Sequence, residues 1–85
     1  METTPKNFTY KVSDEKTLDA FYFFNYNGVN KGSGYINFTV QTNDPDTSQP
    51  LRLSQALPES TLNSPHDELV INAESLLDDY YKSKN

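Results

Sequence analysis

The stretch SPHDELVINAESLLDDYYKSKN at residues 64–85 decides the fold class, because its pattern predicts one amphipathic helix. Ser64 suits the N-cap of such a helix, and Pro65 suits its first position. At about 100° per residue, the side chains separate into an apolar and an acidic side. The apolar side carries Leu69, Val70, Ala73, Leu76, Leu77, Tyr80 and Tyr81. The acidic side carries Asp67, Glu74 and Asp78, with Ile71 projecting from among them. The apolar side of this helix must be buried against a second layer of secondary structure.

The residues before this helix supply that layer as β-strands. Residues 7–13 and 35–42 alternate between apolar and polar side chains, as half-buried strands do. Between them, the glycine- and asparagine-rich segment 27–34 predicts the loop of a β-hairpin, because both residue types tolerate positive φ.

The aromatic run at residues 17–26 is the first strand of that hairpin. Bulky aromatic residues favour strands, and apolar residues at successive positions indicate a central strand covered on both sides. A helix that begins near Thr17 is the alternative interpretation of the same run.

The remaining segments complete an α+β domain. Residues 43–50 contain two prolines and no apolar residue, which predicts a surface loop. A short strand is predicted at 51–53, followed by an irregular segment at 57–63. We therefore predict a flexible tail at 1–6 and a single domain at 7–85. Its fold would be a three- or four-stranded antiparallel sheet, in a meander or hairpin arrangement, with one C-terminal helix packed on one face.

Composition narrows the class of protein. The 85 residues include no cysteine and carry a net charge of −5. Residues 43–85 contain eight acids and three bases, so they account for the whole net negative charge. That distribution disfavours binding to duplex nucleic acid, which needs clustered lysine and arginine. No segment has the length of a membrane span, and the N-terminus has no signal-peptide pattern. We expect a cytoplasmic protein without a membrane partner.

Residues with catalytic or metal-binding chemistry do not form a recognisable constellation. His66 has Ser64 and Asp67 as near neighbours, but side chains this close at the start of a helix point apart. The sequence Asp44-Pro45-Asp46 lacks the glycine and the terminal glutamate of a calcium loop, and an Asx-turn explains it. We therefore expect a non-enzymatic protein with no cofactor and no metal.

One octamer, KGSGYINF at residues 31–38, carries a resemblance to a known motif. It resembles the RNP1 motif of RNA-recognition and cold-shock domains, with Ser33 at one of the two positions that carry stacking aromatic residues. The resemblance implies a module that binds single-stranded nucleic acid, with Tyr35 stacking on a base and Lys31 meeting a phosphate. The charge balance around the octamer disfavours this function.

The leading hypothesis is a small interaction protein with a macromolecular partner. One candidate surface is the acidic helix side, which carries Asp67, Ile71, Glu74 and Asp78. The other is the sheet face opposite the helix, where we expect Phe21, Tyr22, Phe23 and Tyr35. One helix covers one sheet face, so the aromatic residues of the other face would need a partner, for which a second copy is a candidate. A narrower hypothesis is an inhibitor of a nucleic-acid-handling protein, of phage or mobile-element type, because an acidic surface can occupy a basic groove.

Overall fold

The computed structural model of the protein describes residues 3–47 and 49–83. Four strands form a single antiparallel sheet in the order β1-β2-β3-β4. The elements are β1 (Lys6–Ser13), β2 (Lys16–Asn25), β3 (Tyr35–Thr42), β4 (Leu51–Pro58), a 3-10 helix (Glu59–Asn63) and α1 (His66–Ser83). The structure confirms the predicted α+β fold, with four strands and a C-terminal helix packed on the sheet. It also decides in favour of a strand, not a helix, for the aromatic run.

The core lies between α1 and one face of the sheet, which we call the helix-side face. The helix buries Leu69, Ala73 and Leu77 at the spacing of four that places side chains on one side. The sheet contributes Phe8, Tyr10, Ala20, Tyr22, Phe24, Ile36, Phe38 and Val40. The opposite face, which we call the open face, has no helix over it in the described part of the chain.

Strand β4 is longer than the sequence predicts. It extends from Leu51 through Pro58, whereas alternation marks only its first three residues. No strand pattern in the sequence marks Ser54, Gln55 and Ala56. They belong to β4 because they pair with β3. Pro58 is tolerated because it closes an edge strand, opposite Tyr35 at the start of β3.

The ends of the domain also differ from expectation by small amounts. The N–H groups of Glu68 and Leu69 both donate to the Pro65 carbonyl, so Pro65 takes the cap position predicted for Ser64. Thr3 lies in the predicted tail, yet its N–H donates to the Phe24 carbonyl at 3.0 Å. Residues 1 and 2 of that tail lie outside the described residues. No helix within residues 3–47 and 49–83 combines the length and apolar content that a membrane crossing requires.

Candidate functional site

The acidic helix face is formed by the side of α1 that turns away from the sheet. Since Leu69, Ala73 and Leu77 face the core, the residues on the opposite side of the helical wheel project outward. Ile71 is 64% exposed in the middle of this face. The face comprises Asp67, Glu68, Ile71, Glu74, Asp78 and Asp79.

The carboxylates of this face differ in their exposure to solvent. Asp67, Glu68 and Asp79 are exposed, whereas Glu74 and Asp78 are half-buried. The Tyr10 hydroxyl donates to Asp78 Oδ1 at 2.6 Å, which fastens the helix to strand β1. Burial and this hydrogen bond raise the pKa of Tyr10 well above its ordinary range. Asp78 therefore lies at the margin of the face, where it holds the helix to the sheet. This corrects the prediction that Asp78 lies on the side of the helix directly opposite the core.

The open face holds only part of the aromatic surface that the sequence predicts for it. Tyr22 lies on the helix-side face, where it is 3% exposed and packs against Phe38 with ring centroids 5.5 Å apart. Its predicted placement beside Phe21 and Phe23 is wrong, because successive strand residues point to opposite faces. Tyr35 does project from the open face and is 50% exposed.

Phe23 lies on the open face but is covered by its neighbours. The Arg52 guanidinium carbon lies 5.4 Å from the Phe23 ring centroid, and the Phe21 ring stacks beside it at 6.1 Å. Phe23 is consequently only 5% exposed, and Phe21 is half-buried. The apolar area that suggested a second copy of the chain is thus limited mainly to Phe21 and Tyr35.

A hydrogen-bonded network of polar side chains occupies the centre of the open face. Asn37 Nδ2 donates to Asn25 Oδ1 at 3.0 Å, and Asn25 Nδ2 donates to Thr39 Oγ1 at 3.2 Å. The hydroxyls of Thr39 and Ser54 lie 3.1 Å apart. Thr39 is fully buried and Asn25 nearly so. This open-face network was not predicted, although its members share one face by strand parity.

The RNP1-like octamer is divided between a loop and a strand. Its first four residues belong to the loop, and the rest begin β3. Ile36 and Phe38 are fully buried in the core, which leaves Tyr35 as its exposed aromatic residue. Lys31 Nζ lies 5.4 Å from the Tyr26 ring centroid. The octamer therefore presents one ring and one cation.

The Asp44-Pro45-Asp46 turn has the Asx-turn hydrogen bond, since the Asp46 N–H donates to Asp44 Oδ1 at 2.9 Å. Asp44 is also buried and accepts from Lys16 Nζ at 2.8 Å and from the Tyr81 hydroxyl at 2.8 Å. Lys16 lowers the pKa of Asp44 to about 2. This cluster joins β2, the β3–β4 loop and α1. Within the described ranges, no three histidine, aspartate or glutamate side chains are grouped as metal ligands.

His66 has a partner that its sequence neighbours did not indicate. Its Nδ1 lies 2.6 Å from the Tyr22 hydroxyl, and the two rings stack with centroids 5.6 Å apart. Burial raises the pKa of the Tyr22 phenol. The hydroxyl and Nδ1 share one hydrogen bond, whose direction follows the tautomer of the imidazole. The pair lies in the wall of a cavity near the start of α1.

No family model, no curated protein and no solved structure matches this chain.

Proposed function

We propose that this protein is a non-enzymatic interaction protein whose acidic helix face binds a basic groove on a protein partner. The observation that carries the proposal is the exposure of Ile71, which is 64% accessible and lies among the carboxylates of this face. An aliphatic side chain at such a point supplies the apolar contact of an interface, and the charges around it supply orientation.

The charge of α1 supports a basic partner. The helix carries five carboxylates and one lysine among its 18 described residues, a net charge of −4. Complementary charge accelerates association and selects the partner, more than it adds affinity. Binding through this face should therefore slow markedly as salt is added.

Grooves that hold nucleic acid are the basic surfaces that this face matches best, because they carry clustered lysine and arginine. Occupation of such a groove by carboxylates would exclude the phosphates that normally lie there. We therefore infer that the partner handles nucleic acid and is inhibited when the helix is bound.

Two changes in the acidic helix face should each abolish capture of that partner. The first is Ile71→Ser, and the second is the double reversal Asp67→Lys with Asp79→Lys, at two exposed positions. Asp78 is left unchanged because it bonds to Tyr10. Tagged wild-type and variant proteins are used to capture partners from cells of the native host, and captured proteins are compared by mass spectrometry.

The matched control is Asp14→Lys with Glu15→Lys, which makes the same charge change in the exposed β1–β2 turn. We expect one basic protein to be retained by wild type and control, lost from both face variants, and displaced by single-stranded DNA. A set of captured proteins that is the same for all four forms would refute the proposal.

A second candidate function, binding of single-stranded nucleic acid, rests on the exposed ring of Tyr35. If it operates, Tyr35→Ala should weaken binding by about 1–3 kcal/mol, which is the usual contribution of one stacked base. Phe21→Ala is the companion variant, since Phe21 is the other accessible ring of the open face.

Because Arg52 is the one basic side chain of β4 and Lys31 stands alone in its loop, we expect the wild-type protein to give no micromolar shift of a labelled oligonucleotide at physiological salt. A shift that Tyr35→Ala removes would reverse the ranking of the two functions.

A further inference from the structure

A cavity of about 380 Å³ lies between the N-terminal segment, β2 and the start of α1. Its volume falls in the range of small-molecule pockets. None of its described lining residues belongs to the acidic helix face. The large and mainly apolar side chains of its wall, which we call the floor, are Tyr22, Phe24, Leu62 and Leu69. A ligand that fills the cavity therefore needs a hydrocarbon or aromatic body.

The other described residues that line the cavity are polar, and none of them is an acid. We call them the rim, and they are Thr3, Thr4, Lys6, Ser64 and His66. Lys6 is the one lysine or arginine among the described lining residues, so its charge favours a negatively charged ligand. Lys6 forms no ion pair with any described residue, so its charge is available to a ligand.

The His66–Tyr22 pair supplies the second polar group of the rim. The Tyr22 hydroxyl is hydrogen-bonded to Nδ1, so Nε2 is the ring nitrogen that this contact does not use. Nε2 donates to a carboxylate in the imidazolium and in the neutral tautomer that carries its hydrogen there. The stacked Tyr22 ring holds the imidazole in place.

We propose that this cavity binds a small carboxylic acid with an apolar body, whose carboxylate is held by Lys6 and His66. The apolar body lies on Phe24, Leu62 and Leu69. Charge complementarity selects the carboxylate, and the shape of the floor selects the body. This site is independent of the proposed protein partner and uses none of the residues of the acidic helix face.

The test is a titration of the isotopically labelled full chain with 3-phenylpropionate, followed by two-dimensional NMR. We expect saturable shifts of the amide signals of Leu62, Leu69 and His66. Acetate, which lacks the apolar body, should bind at least about tenfold more weakly. The alcohol 3-phenylpropan-1-ol, which lacks the charge, should bind about three- to tenfold more weakly.

Lys6→Gln should weaken binding of the acid about three- to tenfold and leave binding of the alcohol unchanged. Lys11→Gln is the matched control, because it removes a lysine of the same strand outside the cavity, and it should change neither affinity. Lys6 is exposed, and the NMR spectrum of each variant reports directly whether the fold is kept.

Three results would overturn the proposal. One is the absence of saturable shifts at the cavity at millimolar 3-phenylpropionate. Another is equal binding of the acid and the alcohol. The third is an equal loss of acid affinity in Lys6→Gln and Lys11→Gln, which would assign the effect to net charge.

Discussion

Leu77→Ala should lower the free energy of unfolding by about 3–4 kcal/mol, the cost of removing a fully buried leucine and leaving a cavity. Leu77 has no exposed surface and belongs to the cluster that joins α1 to the sheet. The shortened side chain would leave its neighbours on the helix-side face without contact. Urea unfolding followed by circular dichroism measures the effect, with the slope of the transition expected to stay unchanged.

The control is Leu76→Ala, which makes the same chemical change one position earlier on the same helix. Leu76 is only half-buried, so its loss should cost about 1–2 kcal/mol. Helix propensity changes equally in both variants, and the difference between them reports packing alone. Equal losses would mean that α1 is rotated relative to the arrangement described above.

Asp44→Ala should destabilise the domain by about 1–3 kcal/mol, because it removes a buried carboxylate that accepts hydrogen bonds from both Lys16 and Tyr81. The side chain of Asp44 is 3% exposed, and it accepts hydrogen bonds from Lys16 and Tyr81. Burial of Tyr81 and its hydrogen bond to Asp44 raise the pKa of the Tyr81 hydroxyl to about 12. Thermal unfolding monitored by tyrosine fluorescence would measure the loss. Asp14→Ala, at an exposed position of the β1–β2 turn, should change stability little.

The same residue should give the domain an acid-sensitive stability. The pKa of Asp44 is about 2 in the folded protein, below its ordinary value of 3.8. A carboxyl group whose pKa is lower in the folded than in the unfolded protein stabilises the fold at any pH above its unfolded-state pKa. This stabilisation is lost as the pH falls through the folded-state pKa. Unfolding free energy should therefore decrease as pH falls from about 4 to about 2. In Asp44→Asn this decrease should be smaller, whereas Asp14→Asn should keep it.

Much of the fold could be predicted because its periodic segments are strong. Alternation at 7–13 and 35–42 marked two strands, and the spacing of apolar residues after Pro65 marked the helix. Strand β4 beyond Leu53 could not be predicted in the same way, because Ser54, Gln55 and Ala56 are held by pairing with β3. Local pattern carries no information about a partner that is distant in sequence.

The candidate sites were predicted less completely, for two physical reasons. In the run from Phe21 to Phe24 every residue is apolar, so alternation separates two faces without saying which one meets the helix. The contacts of Asp44 with Tyr81 and of Tyr22 with His66 span 37 and 44 residues, respectively, and depend on tertiary packing. The exposed position of Ile71 needed only the helical wheel, and it was predicted.

The open-face network has a consequence for how the strands find their pairing. A slip of β4 by two residues keeps every side chain on its own face, so the apolar pattern alone barely penalises it. Such a slip would place Arg52 or Ala56 opposite Thr39 in place of Ser54, and the hydroxyl pair would be lost. Buried polar groups are costly when they lack partners. Thr39 would keep its hydrogen bond from Asn25 and lose only its contact with Ser54, so the network adds a modest preference for the native alignment of β4 on β3.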